Sequence, residues 1–176
     1  MAYLKKTPLF LTFILSCLFL VIGTVFFPFI RFWSFSPFIA VFLYRTSFLK
    51  GLWLGFLSGL CMDLFSSQFP FGFFSATHSL TVCLLFKQKR HFFEDKMLSF
   101  SLFAALISCV LSLFLLILNP MLGNLIQPSF LTYISDLIIM PIVDGFYAFF
   151  GFVFPSYLYA TLKKYAFQRH LLKEDL

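Results

Sequence analysis

Charged residues are scarce in this sequence of 176 residues, and their scarcity excludes most classes of protein. Asp, Glu, Lys and Arg make up 11% of the chain, whereas 61% of the residues are apolar. A soluble domain carries about 25% charged and about 45–50% apolar residues. The composition therefore excludes a soluble enzyme, a disordered protein and a disulfide-stapled secreted domain. It predicts an integral membrane protein with little chain outside the bilayer.

Motifs for catalysis and for metal binding are also missing. The sequence has no HExxH, GxSxG, GxGxxG or P-loop motif. It has no CxxC pair either, and every cysteine lies inside an apolar run, which predicts membrane-embedded side chains rather than a disulfide or a metal site. We therefore expect no enzymatic activity, no cofactor and no metal. The cysteines are Cys17, Cys61, Cys83 and Cys109.

The apolar residues form six segments, which predicts a six-helix membrane bundle. The uncharged part of the second segment ends at Tyr44 and is short for a full crossing, so that Arg45 snorkels or the helix is tilted or re-entrant. Pro141 predicts a bend in the sixth segment. The fold prediction is an all-α integral membrane protein with a single transmembrane domain over residues 1–176. Its spans cover approximately residues 8–27, 32–48, 51–65, 69–86, 97–118 and 131–161.

The distribution of basic residues favours six spans with both the N- and the C-terminus in the cytoplasm. In that arrangement Arg31 is the only one of the 13 Lys and Arg residues on the other side of the membrane. Five or seven spans would move a basic cluster outside, against the positive-inside rule. The net charge of +6 therefore reflects topology and contact with anionic lipid. It does not indicate nucleic-acid binding, because no soluble basic domain is present.

A stripe of glycines marks the third span. Gly51, Gly55 and Gly59 recur every four residues, and Asp63 continues the same spacing. Residues with this spacing share one face of a helix, and small residues allow a second helix to approach closely. Two interpretations stay open: the stripe packs against the protein's own helices, or it forms a docking groove for the membrane helix of a partner.

Asp63 lies near the non-cytoplasmic end of that span. An ionised carboxylate facing lipid costs several kcal/mol, so this side chain must face the bundle, water or a partner. A structural role is one interpretation, including capping of the turn at Ser66–Ser67. Direct contact with a partner is the other main interpretation.

Three further polar residues form a candidate intramembrane polar site. His78 lies in the fourth span, and Asp136 and Asp144 lie eight residues apart in the last apolar segment. On an unbroken helix the two carboxylates would share a face. We expect polar contacts within the bundle for all three, with a proton or cation site as the alternative for the carboxylates.

Residues 37–85 resemble the MreD family, the rod shape-determining membrane proteins of the bacterial cell-wall elongation complex. MreD-like sequences have a Pro-led short apolar span and a basic turn. A glycine-striped span follows that ends in Gly-Leu-x-x-Asp-Leu, and an apolar-Gly pair opens the next span. The corresponding residues here are Pro37, Arg45, Gly55, Gly59-Leu60, Asp63-Leu64 and Phe71-Gly72.

The resemblance implies a non-catalytic scaffold in the bacterial cytoplasmic (inner) membrane that supports cell-shape control and peptidoglycan synthesis. The implied partners are an MreC-like protein, a RodA-like glycosyltransferase and a class B penicillin-binding protein, with MreB as an indirect partner. It also implies a compact bundle similar to the substrate-binding subunits of energy-coupling-factor transporters. The partner and helix-packing residues would be Gly51, Gly55, Gly59, Asp63 and Gly72.

Two other functions were weighed. The first is a substrate-binding subunit of an energy-coupling-factor vitamin transporter, which has the same size and number of spans. Those subunits usually carry Ala-xxx-Ala in their first span, and residues 9–27 contain no alanine. The second is a small proton-coupled transporter that uses Asp136 and Asp144.

Overall fold

The computed structural model describes residues 9–26, 33–66, 69–89, 97–121, 133–155, 158 and 161–162, and these residues form helices and short connections without any β-strand. The predicted termini, the basic residue Arg31 and the ends of several predicted spans lie outside this part of the chain. The six helical elements are α1 (Leu9–Phe26), α2 (Ser36–Arg45), α3 (Phe48–Phe65), α4 (Phe73–Leu85), α5 (Met97–Met121) and α6 (Ser135–Val153).

Four of these helices are long and apolar enough to cross a membrane, namely α1, α3, α5 and α6. An 18-residue helix is about 27 Å long, close to the hydrocarbon thickness of about 30 Å. Many large apolar side chains on their outer faces are exposed, among them Phe10, Trp53, Leu102 and Phe146. Such exposure suits contact with lipid rather than water. The chain is therefore an all-helical protein of membrane type, as its composition predicts, while the count of six crossings stays a prediction.

Helix α2 lies in the centre of the bundle and is much shorter than the predicted second span. It begins where Pro37 occupies its first turn and ends at Thr46, whose backbone is extended. Its ten residues measure about 15 Å, half of a bilayer core. Residues 36–43 are all buried, by contacts with α1, α3, α5 and α6. Within the predicted second span, residues 32–48, the helix covers Ser36–Arg45, with Pro37 in its first turn and Thr46 as its C-cap.

Phenylalanine side chains fill much of the space around α2. Phe13 of α1 packs on Phe35 and Phe38, with ring centroids 5.8 and 5.3 Å apart. Phe38 in turn meets Phe42 edge to face at 5.2 Å. Because α2 is buried on every side, apolar side chains lie all around it, and it has no polar face.

Helix α6 contains two π-helical turns, at Ser135–Ile139 and Phe149–Val153, on either side of the α-helix Met140–Ala148. In the first, the Met140 N–H donates to the Ser135 carbonyl. Pro141 follows directly and has no N–H to donate, which disturbs the α-helical hydrogen-bond pattern. A π turn at this point re-pairs carbonyls that the proline leaves open. The structure therefore shows a change of helix type beside Pro141, while the predicted bend stays a prediction.

Candidate functional site

The glycine stripe of α3 packs against helices of the same chain. A Cβ atom on Gly59 would lie 2.4 Å from the Phe74 carbonyl oxygen, and one on Gly55 would lie 2.8 Å from Val82 Cγ2. Both neighbours belong to α4, so α3 and α4 form a close antiparallel pair. Gly51 instead lies beside α2, where its Cβ would be 3.3 Å from Thr46 Oγ1.

The two interpretations of the glycine stripe differ in whether α4 would have to move. As an intramolecular packing surface, the stripe explains why backbone of α4 touches α3. As a groove for a partner helix, its Gly55 and Gly59 positions would first have to lose α4, which fills them. Packing within the chain is the arrangement present in the structure.

Asp63 caps the N-terminus of α4. Its Oδ1 accepts the Phe74 N–H at 2.9 Å, and its Oδ2 accepts the Ser75 N–H at 3.0 Å and the Ser75 hydroxyl at 2.6 Å. The N-cap residue of α4 is Gly72, which has no side chain to bind these donors and adopts a left-handed backbone with φ of 94°. Asp63 supplies across the hairpin what an N-cap aspartate supplies locally. A cap on the Ser66–Ser67 turn was a further possibility; the Ser66 N–H donates to the Met62 carbonyl, and Ser67 lies outside the described residues.

The Asp63 contact also balances charge. Helix N-termini carry a partial positive charge, and charge-assisted hydrogen bonds are stronger than neutral ones. With three donors in place, this carboxylate, which is 6% exposed, has its oxygens occupied on the α4 side. Its geometry is that of a structural residue that joins α3 to α4.

His78 is completely buried and bonds to α3. Its Nδ1 lies 2.9 Å from Ser58 Oγ, and the Ser58 hydroxyl also donates to the Gly55 carbonyl at 2.8 Å. A hydroxyl has one proton, so His78 Nδ1 must be the donor in the first contact. In a neutral imidazole, Nε2 is then a bare acceptor. Nε2 is buried and has no hydrogen-bond partner among the described residues.

Asp144 is also completely buried, between α6 and α5. The Ser108 hydroxyl donates to its Oδ2, and the backbone amide of Trp33 faces the same carboxylate. Its Oδ1 has no hydrogen-bond partner of normal geometry within the described chain. Gly145 allows the close approach of α6 to α5, because a Cβ there would lie 3.3 Å from Ala105 Cβ.

Trp33 connects these polar groups just before α2. Its indole N–H donates to Ser112 Oγ at 3.0 Å, and its ring centroid lies 6.1 Å from that of His78. The next residue, Ser34, accepts the Tyr147 hydroxyl at its backbone carbonyl, at 3.5 Å. We call this set the α2 polar cluster. It consists of Trp33, Ser34, Ser36, His78, Ser108, Ser112, Asp144 and Tyr147.

The two predicted carboxylates of the last segment occupy different surroundings. Asp136 is buried within the first π turn of α6, whereas Asp144 lies in the following α-helix. The expectation that eight residues place them on one face assumes an unbroken α-helix, and the π turn interrupts it. His78 and Asp144 both belong to the α2 polar cluster.

Lys89 holds the C-terminal end of α2, and the sequence did not predict this contact. Lys89 Nζ donates to the Leu43 carbonyl at 3.0 Å and to the Thr46 carbonyl at 3.4 Å, and it lies 3.8 Å from the centroid of the Phe86 ring. A cation at a helix C-terminus satisfies open carbonyls and opposes the negative end of the helix dipole. Lys89 lies just after the predicted fourth span, residues 69–86, and no local pattern links it to Leu43.

The serines of α5 were also missed. Ser101, Ser108 and Ser112 are buried polar residues in an otherwise apolar helix. Their spacing of seven and four residues places them on one face, and this is the signal that could have revealed a polar contact with α6. Within the described residues, no group of three or more His, Cys, Asp or Glu side chains could hold a metal ion.

Comparison of the chain with known protein families, with curated proteins and with solved structures finds no match.

Proposed function

We propose that this protein is a non-catalytic scaffold of the MreD type in the bacterial cytoplasmic membrane. The observation that carries the proposal is the α3–α4 hairpin. The sequence features that resemble MreD, namely Gly55, Gly59, Asp63 and Gly72, act together in that hairpin: the two glycines admit α4, and Asp63 caps the helix that Gly72 opens. A motif whose parts depend on one another in this way is harder to explain by chance than separate matches.

Six crossings with both termini in the cytoplasm belong to the same proposal. The contact of Lys89 with Leu43 brings the C-terminal ends of α2 and α4 together. Arg45 and Lys50 lie at this end as well, because α3 begins there. A basic end shared by three helices supports its assignment to the cytoplasmic face.

The scaffold would act by binding an MreC-like protein, a RodA-like glycosyltransferase and a class B penicillin-binding protein, and through them MreB. Because α4 covers the glycine face of α3, partner helices would contact outer faces. On α3 that face carries Trp53, Phe56, Leu57 and Leu64, all exposed. Aromatic and aliphatic side chains of this kind dominate the energetics of many interfaces.

The test is co-purification of the tagged full-length protein from its native membrane in mild detergent, followed by mass spectrometry. We expect recovery of an MreC-like protein, a RodA-like protein or a penicillin-binding protein, and reduced recovery with the double variant Trp53→Ala and Leu57→Ala. The matched control is Leu11→Ala with Leu18→Ala, which removes exposed apolar side chains from α1. Equal loss with both pairs would assign the effect to general destabilisation and remove α3 as the contact face.

A second candidate function is the substrate-binding subunit of an energy-coupling-factor vitamin transporter. The observation that favours it is the α2 polar cluster, where His78 Nε2 and Asp144 Oδ1 are buried without partners, as polar groups of a small-molecule site would be. Recovery of an ATPase pair and a coupling membrane subunit in the same experiment, or nanomolar binding of a vitamin, would establish this function and refute the scaffold.

A further inference from the structure

Two cysteine side chains from different helices meet in this structure. Cys17 of α1 and Cys61 of α3 form a side-chain hydrogen bond with each other. Both are free thiols and half-buried, and both pack against the apolar core. Because the two residues lie far apart in sequence, no local pattern predicts the pair, and the contact depends on the fold.

The packing of each helix agrees with this contact. On α1, Phe13, Cys17 and Leu20 recur at intervals of four and three residues, and they share the side that packs against the core. On α3, Leu54 and Cys61 are seven residues apart, about two helical turns, and both are partly buried against the core. The two thiols therefore lie on helix faces that other side chains also hold in place.

Cys61 lies close to the end of α3 that the proposed topology assigns to the non-cytoplasmic side. Four residues separate it from Phe65, where α3 ends, which is about 6 Å along the helix axis. Cys17 lies deeper, nine residues from the end of α1 at Phe26, or about 14 Å. Disulfides form and persist on the outer side of a bacterial cytoplasmic membrane. On this orientation Cys61 is the thiol that an external disulfide reaches first.

We propose that Cys17 and Cys61 are a redox-active dithiol that oxidises to a disulfide and joins α1 covalently to α3. The oxidant is a disulfide on the non-cytoplasmic side. One of its sulfurs bonds to Cys61 while the other leaves as a thiol, and Cys17 then displaces the bound sulfur as a second thiol. The two S–H bonds of the protein break, one S–S bond of about 2 Å forms, and the oxidant takes up the two protons and two electrons.

Both forms of the pair suit a position within the membrane. A dithiol and a disulfide are uncharged, so neither places a charge in hydrocarbon. Helix α1 packs mainly on α2, and a link to α3 would give this outer helix a second attachment. Trp53, Leu57 and Cys61 recur every four residues, so the link would lie beside the outer face of α3 that the scaffold proposal assigns to partner helices.

This inference rests on the proposed membrane orientation and is independent of the proposed partners. A failed co-purification would leave the thiol pair as it is. Absence of the disulfide would leave the scaffold proposal as it is. Two experiments separate the contact between the thiols from their oxidation in the cell.

The first experiment uses the unaltered full-length protein in its native membrane. The thiols are trapped with acid, and free cysteines are alkylated with N-ethylmaleimide in denaturant before peptide mapping by mass spectrometry. We expect peptides linked through Cys17 and Cys61 that separate on reduction with dithiothreitol, whereas Cys83 and Cys109 carry the alkyl group. Complete alkylation of Cys17 and Cys61 would refute oxidation in the cell and overturn the inference.

The second experiment removes the two sides of the membrane. The reduced protein in detergent is treated with dithiodipyridine, a neutral disulfide, and mapped in the same way. We expect the link between Cys17 and Cys61 in the unaltered protein and in the matched control Cys83→Ala. In Cys17→Ala, we expect a stable thiopyridine adduct on Cys61. Separate adducts on Cys17 and Cys61 of the unaltered protein would show that the two sulfurs do not meet, which would also overturn the inference.

Discussion

Asp63 of α3 lies at the N-terminal end of α4, and Asp144 of α6 lies near the N-terminal end of α2. Both carboxylates are buried, and they differ in how many hydrogen-bond donors they contact. Asp63 receives two backbone N–H groups and one hydroxyl from α4. Asp144 receives the Ser108 hydroxyl, and the Trp33 backbone amide faces the same carboxylate, whereas its Oδ1 has no partner of normal geometry in the described chain. The complete pairing belongs to a structural connection.

The comparison also separates the two regions by sequence distance. Asp63 bonds to residues 11 and 12 positions away, within one helical hairpin. Asp144 bonds to a residue 36 positions away, on α5. The hairpin contact follows from the chain once α3 and α4 pack, whereas the second contact requires the whole bundle to form.

The largest loss of stability is expected from Gly59→Ala, which disrupts the packing of α3 on α4. The added Cβ would lie 2.4 Å from the Phe74 carbonyl oxygen and 2.5 Å from Ser75 Cα. Backbone atoms cannot move aside as a flexible side chain can, so α4 must shift and the Asp63 cap must break. We expect little or no monodisperse protein in size-exclusion chromatography of the detergent extract.

The control for this change is Gly51→Ala on the same stripe. Its Cβ would meet Thr46 Oγ1 at 3.3 Å and Phe42 Cε2 at 3.7 Å, distances that small side-chain movements accommodate. We expect near-normal yield. Equal yields of the two variants would contradict the close packing of α3 on α4.

The second-largest loss of stability is expected from Asp63→Asn. This change keeps the shape of the side chain and replaces one acceptor oxygen by an NH₂ donor. That donor would face the N–H donors of α4, and each buried group left unpaired costs about 1–3 kcal/mol. We expect a lower free energy of unfolding in micelles, measured by denaturant titration. Ser75→Ala removes one hydrogen bond and should cost about 1 kcal/mol. A wild-type unfolding curve for Asp63→Asn would show that the cap contributes nothing.

Much of the helical content could be predicted from apolar runs alone. The predicted spans at 51–65 and 97–118 lie within α3 and α5, because long apolar runs without proline have few alternatives in a membrane. The glycine spacing and Asp63 also marked the correct face of α3. The choice between packing inside the chain and docking a partner was open, because sequence spacing does not say which helix fills a groove.

The α2 polar cluster was only partly predictable. His78 and Asp144 stand out as ionisable residues in apolar segments, but their relation to Trp33 depends on where α2 begins. The central position of α2 was not readable either, because a helix buried on all sides has no polar face and therefore no amphipathic period. The spacing of the α5 serines does not say which residue of α6 Ser108 contacts, and Lys89 carries no local signal of its contact with Leu43.

A smaller effect is expected at Gly72, the residue that opens α4. Its φ of 94° is unfavourable for side chains with a Cβ, although an added Cβ would meet no atom within 4 Å. Gly72→Ala should therefore cost only backbone strain, about 1–2 kcal/mol. Gly72→Asn should cost less, since asparagine tolerates positive φ better than alanine. Thermal unfolding of the unaltered protein and the two variants in one detergent gives their order of stability. An alanine variant more stable than the unaltered protein would contradict the left-handed backbone at Gly72.

The smallest effect is expected from Lys89→Met, which tests the other end of α2. Methionine keeps an apolar stem against Phe86 and removes the ammonium group from the Leu43 and Thr46 carbonyls. A cation at a helix C-terminus contributes about 0.3–1 kcal/mol, so global stability should fall slightly, and the amides of α2 should exchange hydrogen faster. Lys87→Met is the matched control, because Lys87 is exposed. Faster exchange with Lys89→Met alone would show that the ammonium group holds the C-terminal end of this half-length helix in place. Equal exchange in both variants would leave burial as the sole cause.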